Sequence, residues 1–409
     1  MKIQIKAALI LAACMAAFTS SLFAQLAIPS DGSDGALVIS TDTVIDLSQA
    51  VTGNWTNNNT ANVGKGIYDP NQWAVVFKYS SITIAPNATV TFLNHPTHAP
   101  VVWLVSSDAT INGTISLDGQ SWNAVTPNLN EPGPGGFRGG FKSQSGFGVG
   151  GGFGPGGYYG DSGSYSTYHS YGNEQIIPLI GGSGGGGWAS CSGNYNGGAG
   201  GGAILIAASG TITFNGYCHA NGGNGVFDGG WAFCHYQVDS FNGSGGAIKM
   251  IANQILGNGS IEAVGGSADA GSYPGRIRLE ANTTSSALTL NPSTPAVLPN
   301  PLVIWPAATA PTVQVVSVSG TAAPADPKAS MFGNGDDILI AQTNAVVIQL
   351  QTANFPTSGT VSVFIKPLTG AQSILPASFV SGNSGAAIWQ VTTVLPLNHT
   401  VIQALAVSN

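Results

Sequence analysis

The sequence predicts an all-β protein: a right-handed parallel β-helix with long Gly-rich insertions, followed by an antiparallel β-sandwich. Three observations predict it. One unit of short alternating runs recurs between residues 74 and 282. Its copies share a step of 26 residues, seen between Val75 and Val101, once two insertions are set aside. After a Pro-rich break, the last hundred or so residues alternate with a pattern of their own.

The unit is clearest at residues 200–223, GGGAILIAASGTITFNGYCHANGG, and at 244–266, SGGAIKMIANQILGNGSIEAVGG. Each has a Gly doublet, an alternating apolar run, an Asn-Gly turn, a second run and a closing Gly-Gly. Residues 100–119 match 203–222 without a gap, and RIRLEAN (276–282) matches AIKMIAN. Ile115, Cys218 and Ile261 share one column, and Leu117, Ala220 and Ala263 share another. Ser116, His219 and Glu262 lie between them. Successive side chains of a strand point to opposite faces, so the apolar columns are expected inward and the polar ones outward. One unit cannot bury its own inner face, so units must stack as coils ~4.8 Å apart.

Taken in order, residues 1–24 read as a secretion signal: Lys2 and Lys6, an apolar stretch, and Leu22-Phe23-Ala24 before Gln25. Leu11-Ala12-Ala13-Cys14 is the alternative, a lipoprotein box with Cys14 lipidated. No later apolar run is long enough for a membrane span. Residues 25–303 are assigned to the β-helix. Residues 35–48 alternate like a strand pair at its entry, where a short strand caps the open end, and the Asn-rich tract 53–64 is a loop.

Two insertions interrupt the coils, at about 120–200 and 224–243. The first is dominated by Gly and aromatics. It is expected to pack as glycine-tight loops on the coil flank or to stay flexible. Its aromatics, with those of the second insertion, are the candidate binding residues: Tyr158, Tyr159, Tyr165, Tyr168, Trp188, Trp231 and Tyr236. Flat rings on loops held by a rigid scaffold suit sugar rings or a partner surface. Cys191 and Cys234 flank the same coil in an exported chain and are expected to form a disulfide. Cys218 falls in an apolar column and is expected buried. Cys218-His219 and Cys234-His235 lack the close spacing of a zinc site, so no metal and no cofactor are expected.

Residues 304–310 are a Pro-rich linker. Residues 311–409 carry VQVVSVSG, AVVIQLQT, TVSVFIKP, AIWQVTTVLP and TVIQALAV, separated by turn signals at 333–335 and 381–383. Short strands at this spacing predict an immunoglobulin- or fibronectin-like sandwich. Asp336-Asp337 reads as an exposed turn rather than a calcium pair.

Charged residues are 7% of the chain and the net charge is −7, with no basic stripe, which argues against a nucleic-acid partner. Paired carboxylates on one cleft would mark a glycosidase, but Asp108, Asp118, Glu262, Asp269 and Glu280 fall in scattered columns. Glu262 and His219 are the best candidate catalytic pair, a weak one, expected one coil apart in one outward column.

The repeat GGAIxxxA…GxGxIxAxGG, with PGGFRGG at 134–140 and PLIGGSGG at 178–185, resembles the glycine-rich β-helical proteins that bacteria secrete or display. The resemblance covers about residues 35–283. It implies a β-helix at the cell surface or outside the cell and leaves the activity open. Polygalacturonases share the fold class, but their Gly-His-Gly and clustered aspartates are missing, and Arg276-Ile277-Arg278 belongs to the strand repeat. The expected function is non-catalytic binding of polysaccharide or another surface through the insertions. A polysaccharide lyase or glycoside hydrolase is the first alternative, and a structural envelope or matrix protein the second.

Overall fold

A computed structural model describes residues 26–121, 130–140, 146–148, 150, 172–190, 193–225, 227–228, 238–239, 242–266, 273–293, 302–323, 338–341, 344–367, 373–397 and 400–408. The described chain is all-β, with both parallel and antiparallel sheets. Three sheets pair in parallel, apart from Ile67–Asp69, which lies antiparallel to Ala74–Tyr79 in one of them, and the chain visits them in rotation. Ala74–Tyr79 lies in the first, Ser81–Ile84 in the second and Thr89–Leu93 in the third. Val101–Val105, Ala109–Ile111 and Thr114–Ser116 repeat the visit. So do Ala203–Ala208, Thr211–Phe214 and Tyr217–His219, then Ala247–Ile251, Gln254–Leu256 and Ser260–Glu262. Arg276–Glu280, Thr283–Thr284 and Thr289–Asn291 complete the series.

The register is the one the repeat implies. Val75, Val101, Ile204, Ile248 and Ile277 are successive partners in the first sheet. Ile115, Cys218 and Ile261 are partners in the third, all fully buried. Inward residues of all three sheets form one core, with Phe77, Tyr79, Trp103 and Phe214 as its largest fully buried side chains. Each buried Ile, Val or Phe contributes about 1.5–3 kcal/mol relative to exposure.

Polar side chains tie each repeat unit to the next where the chain passes between sheets. The Asp42, Asp108 and Asp118 carboxylates accept from the backbone N–H of Thr89, Thr211 and Asn221 in the following coil, at 2.7–2.9 Å. Asn215 Nδ2 donates to Asn112 Oδ1 at 2.9 Å, and Asn282 Nδ2 to Asn253 Oδ1 at 2.8 Å. In the Asn-Gly corners the backbones of adjacent coils touch. A Cβ on Gly216 would sit 1.8 Å from the Gly113 carbonyl oxygen.

Two expectations need correction here. The strands Ala36–Ile39 and Thr43–Asp46 do not pair with each other; they join the second and third sheets, in parallel with Ser81–Ile84 and Thr89–Leu93. The outer face of the first sheet is also buried rather than solvated. Val76, Val102, Leu104, Leu205, Ala207 and Ile251 are covered there by Leu26, Ile28, Trp55, Leu179, Leu302, Ile304 and Trp305. The strands VVWLV and AILIAA are apolar on both faces, the composition of a strand buried on both sides.

The described parts of the insertions run as extended glycine rods bonded to one another. The N–H groups of Gly197, Gly200 and Ala203 donate to the carbonyls of Gly140, Phe137 and Pro134. Those of Ala199 and Gly202 donate to Gln120 and Leu117, and that of Gly201 to Ser244. A second rod behaves alike: Gly181 and Gly184 donate to Gly135 and Phe147, Gly182 and Gly185 to Gly201 and Gly198. Every third residue therefore faces the same neighbour. Three residues per turn without internal hydrogen bonds is the polyproline II repeat. No side chain fits between the rods: a Cβ on Gly184 would lie 1.9 Å from the Arg138 carbonyl oxygen, and one on Gly200 1.9 Å from that of Gly182.

Towards the C-terminus, two antiparallel sheets share one apolar core that includes Ile348, Leu350, Val363, Ile365 and Trp389. The five runs singled out in the sequence form Thr312–Val318, Val346–Ala353, Thr360–Pro367, Ala386–Thr393 and Thr400–Val407. Ser381-Gly382-Asn383 is not the expected turn. It ends an edge strand, Ser378–Asn383, whose register shifts between Phe379 and Ser381. Residues 333–337, with the second turn signal and Asp336-Asp337, lie outside the described residues.

Candidate functional site

The loop after Thr89–Leu93, the end of the next coil's third strand and the root of the first insertion enclose a cleft of about 420 Å³. Its polar wall holds Asn94, His95 and His98 from the loop, Asp118 and Gln120 from the coil, and Glu131 from the insertion. Phe92, Pro96, Pro132 and Pro134 supply apolar surface.

The loop is fixed at several points. Asn94 Nδ2 donates to the Pro132 carbonyl at 2.8 Å. The Gly135 N–H donates to the His98 carbonyl at 2.7 Å, and Trp73 Nε1 to that of Thr97 at 3.1 Å. The His95 ring stacks on Tyr68 with centroids 4.2 Å apart, and its Nδ1 lies 2.8 Å from Thr97 Oγ1. His98 is buried in the left-handed region, with φ 52°, a conformation that non-glycine residues hold only when the surroundings enforce it. Burial pushes its pKa down to about 4, against the pull of nearby Glu131, so the ring is neutral at pH 7. Glu131 forms an ion pair with Arg138.

The column behind the cleft holds the candidate pair. His219 and Glu262 are partners in register, as their spacing implies. The hydrogen-bond partner of His219 is Asp118, with Nδ1 2.8 Å from Oδ2. That bond raises the His219 pKa, opposed by partial burial. Glu262 instead accepts a long 3.4 Å bond from Ser260 Oγ. The gapless match already set Asp118 one coil from Asn221, two residues past His219, so this neighbour was within reach of the alignment.

Most carboxylates weighed for catalysis hold the fold together. Asp108 and Asp118 are coil ties, and Glu280 is buried between Lys249 and Arg278. Asp269 lies outside the described residues, as do Tyr158, Tyr159, Tyr165, Tyr168, Trp231, Tyr236, Cys191 and Cys234. Trp188 begins a short strand, Trp188–Ser190, paired antiparallel with Gly193–Tyr195. The thiol of Cys218 is free and fully buried, and burial raises its pKa far above the usual range. Among the exposed aromatics that the sequence reading did not single out, Tyr217, on the outer face of the third sheet beside Thr114 and Ser260, is 59% exposed.

Among the described residues no group of three His, Cys, Asp or Glu is placed to hold a metal ion, and no helix is long and apolar enough to cross a membrane. No protein-family model, curated protein or solved structure matches the chain.

Proposed function

We propose that this chain is a secreted or surface-displayed protein of the glycine-rich β-helical kind that binds polysaccharide or another surface. The rotation of strands through three parallel sheets supports closure into a right-handed β-helix, the hand that parallel crossovers favour. The shared core of the two antiparallel sheets supports a β-sandwich after it. Residues 1–24 supply the export signal, and a Cys191–Cys234 disulfide would join the two insertions outside the cell. Peptide mapping of non-reduced secreted protein that recovered both as free thiols would remove that bond.

The observation that carries the binding reading is the cleft. Amide, imidazole and carboxylate side chains line it together with apolar residues, at the root of the aromatic insertion. Its volume is within the about 300–1,000 Å³ of small-ligand clefts. The test is a glycan array on the mature chain, repeated with residues 151–171 replaced by a short Gly-Ser linker. The replacement stays within this segment because Gly133, Gly139 and Gly184 are interior to the rods. The parent is expected to bind and the variant, melting as the parent does, to bind less; equal binding by both would move ligand contact off the insertion.

A polysaccharide lyase or hydrolase is the second reading, favoured by the presence of both Asp118 and Glu131 on one cleft. Release of reducing sugar or of an unsaturated product from a polysaccharide panel would establish it over binding alone.

A further inference from the structure

We propose that the cleft at Asn94–Glu131 selects neutral, hydroxyl-rich glycan chains over anionic ones, and that Glu131 sets this selectivity by neutralising Arg138. The inference rests on the polysaccharide-binding reading and adds the class of glycan.

Both carboxylates on the cleft already have a side-chain partner. Glu131 faces Arg138, and Asp118 faces His219 at 2.8 Å. His98, between the loop and the insertion, is buried and neutral at pH 7. A uronate or sulfate entering the cleft meets two carboxylates, one paired with the Arg138 guanidinium and one bonded to the His219 ring, so its charge would lose water without gaining a partner. A neutral sugar has no such cost. Its hydroxyls both donate and accept, and the cleft offers both kinds of group: the amide of Gln120 and the carboxylates of Asp118 and Glu131. The apolar face of a sugar ring can lie on the prolines of the same cleft.

The pairing makes a charge-switch experiment decisive. Glu131→Gln keeps the size of the side chain and leaves the Arg138 guanidinium uncompensated. Binding of the mature chain to a soluble neutral β-glucan, a neutral mannan, a polyuronate and a sulfated glycan is measured at low and at moderate salt. The parent is expected to bind a neutral polymer at least tenfold more tightly than either anionic one, with little dependence on salt. Glu131→Gln should gain several-fold affinity for the anionic polymers, and moderate salt should abolish the gain. Gln120→Ala should weaken neutral binding several-fold without changing that salt response. Circular dichroism and melting of each variant separate loss of binding from loss of fold. If the parent binds no glycan, the polysaccharide reading itself fails. If it prefers anionic glycans, or binds neutral ones with both variants indistinguishable from the parent, the selectivity inference fails and the broader reading stands.

Discussion

At the residue scale, burial and charge make opposite demands on two histidines of one region. His98 has its pKa lowered to about 4, so it binds a proton more readily unfolded than folded. The stability tied to its neutral form is present above about pH 6.5 and is lost as pH falls from there through about 4, by at most about 3 kcal/mol. His98→Asn tolerates the left-handed backbone and should flatten that portion of the acid limb in denaturant titrations; an unchanged limb would place the titration elsewhere. His219 has the reverse sign. Its raised pKa gives stability that is complete below 6.5 and is lost as pH rises through the folded value. His219→Gln should remove that loss on the alkaline side. In the core, Ile261→Asp would put an unpaired charge into the column of Ile115 and Cys218 and should cost about 4 kcal/mol or more. Native Cys218 should resist alkylation until the chain unfolds; rapid labelling of folded protein would contradict the register.

At the element scale, the glycine rods separate two uses of glycine that composition alone cannot tell apart. Gly64 has φ +75° and open space around its missing side chain. Gly64→Ala should cost only the backbone strain of that conformation, about 1–2 kcal/mol. A Cβ on Gly201 would stand 2.0 Å from the Ala220 carbonyl oxygen. Gly201→Ala must therefore push neighbouring backbones apart or break their hydrogen bonds, and should cost well above the about 1–3 kcal/mol of ordinary overpacking. Thermal melts of the two variants make the comparison. Equal losses would mean that the rods yield readily.

At the scale of the whole molecule, the buried Lys249 joins three distant segments of the chain. From the outer face of the first sheet its Nζ donates to the Gln175 carbonyl at 3.1 Å and the Val303 carbonyl at 3.0 Å, and pairs with Glu280 at 3.3 Å. It thus pins the first insertion and the stretch after the last coil onto the sheet that Leu302, Ile304 and Trp305 cover. Lys249→Met keeps the apolar stem and removes all three contacts. Breaking a buried pair this way should cost about 3–5 kcal/mol, although Arg278 still holds Glu280. Limited proteolysis should show faster cutting near residues 302–305; an unchanged rate would mean that the apolar cover alone holds this stretch.

The sequence by itself determined the coil register, because each column repeats its residue type: Ile115, Cys218 and Ile261 could be aligned with no knowledge of the fold. It also marked the five main C-terminal strands, whose alternation follows from one face being buried. It could not show that the first sheet is covered on its outer face, since Leu26, Leu179 and Trp305 reach it from segments far apart in the chain. It could not tell that the glycine tracts form mutually bonded rods, because each rod finds its partners in other segments, with no internal pattern beyond glycine itself. The cleft was hidden for the same reason. Asn94, His98, Asp118 and Glu131 belong to three separate pieces of chain, and only the parallel pairing of successive repeat units with the returning insertion brings them to one cleft.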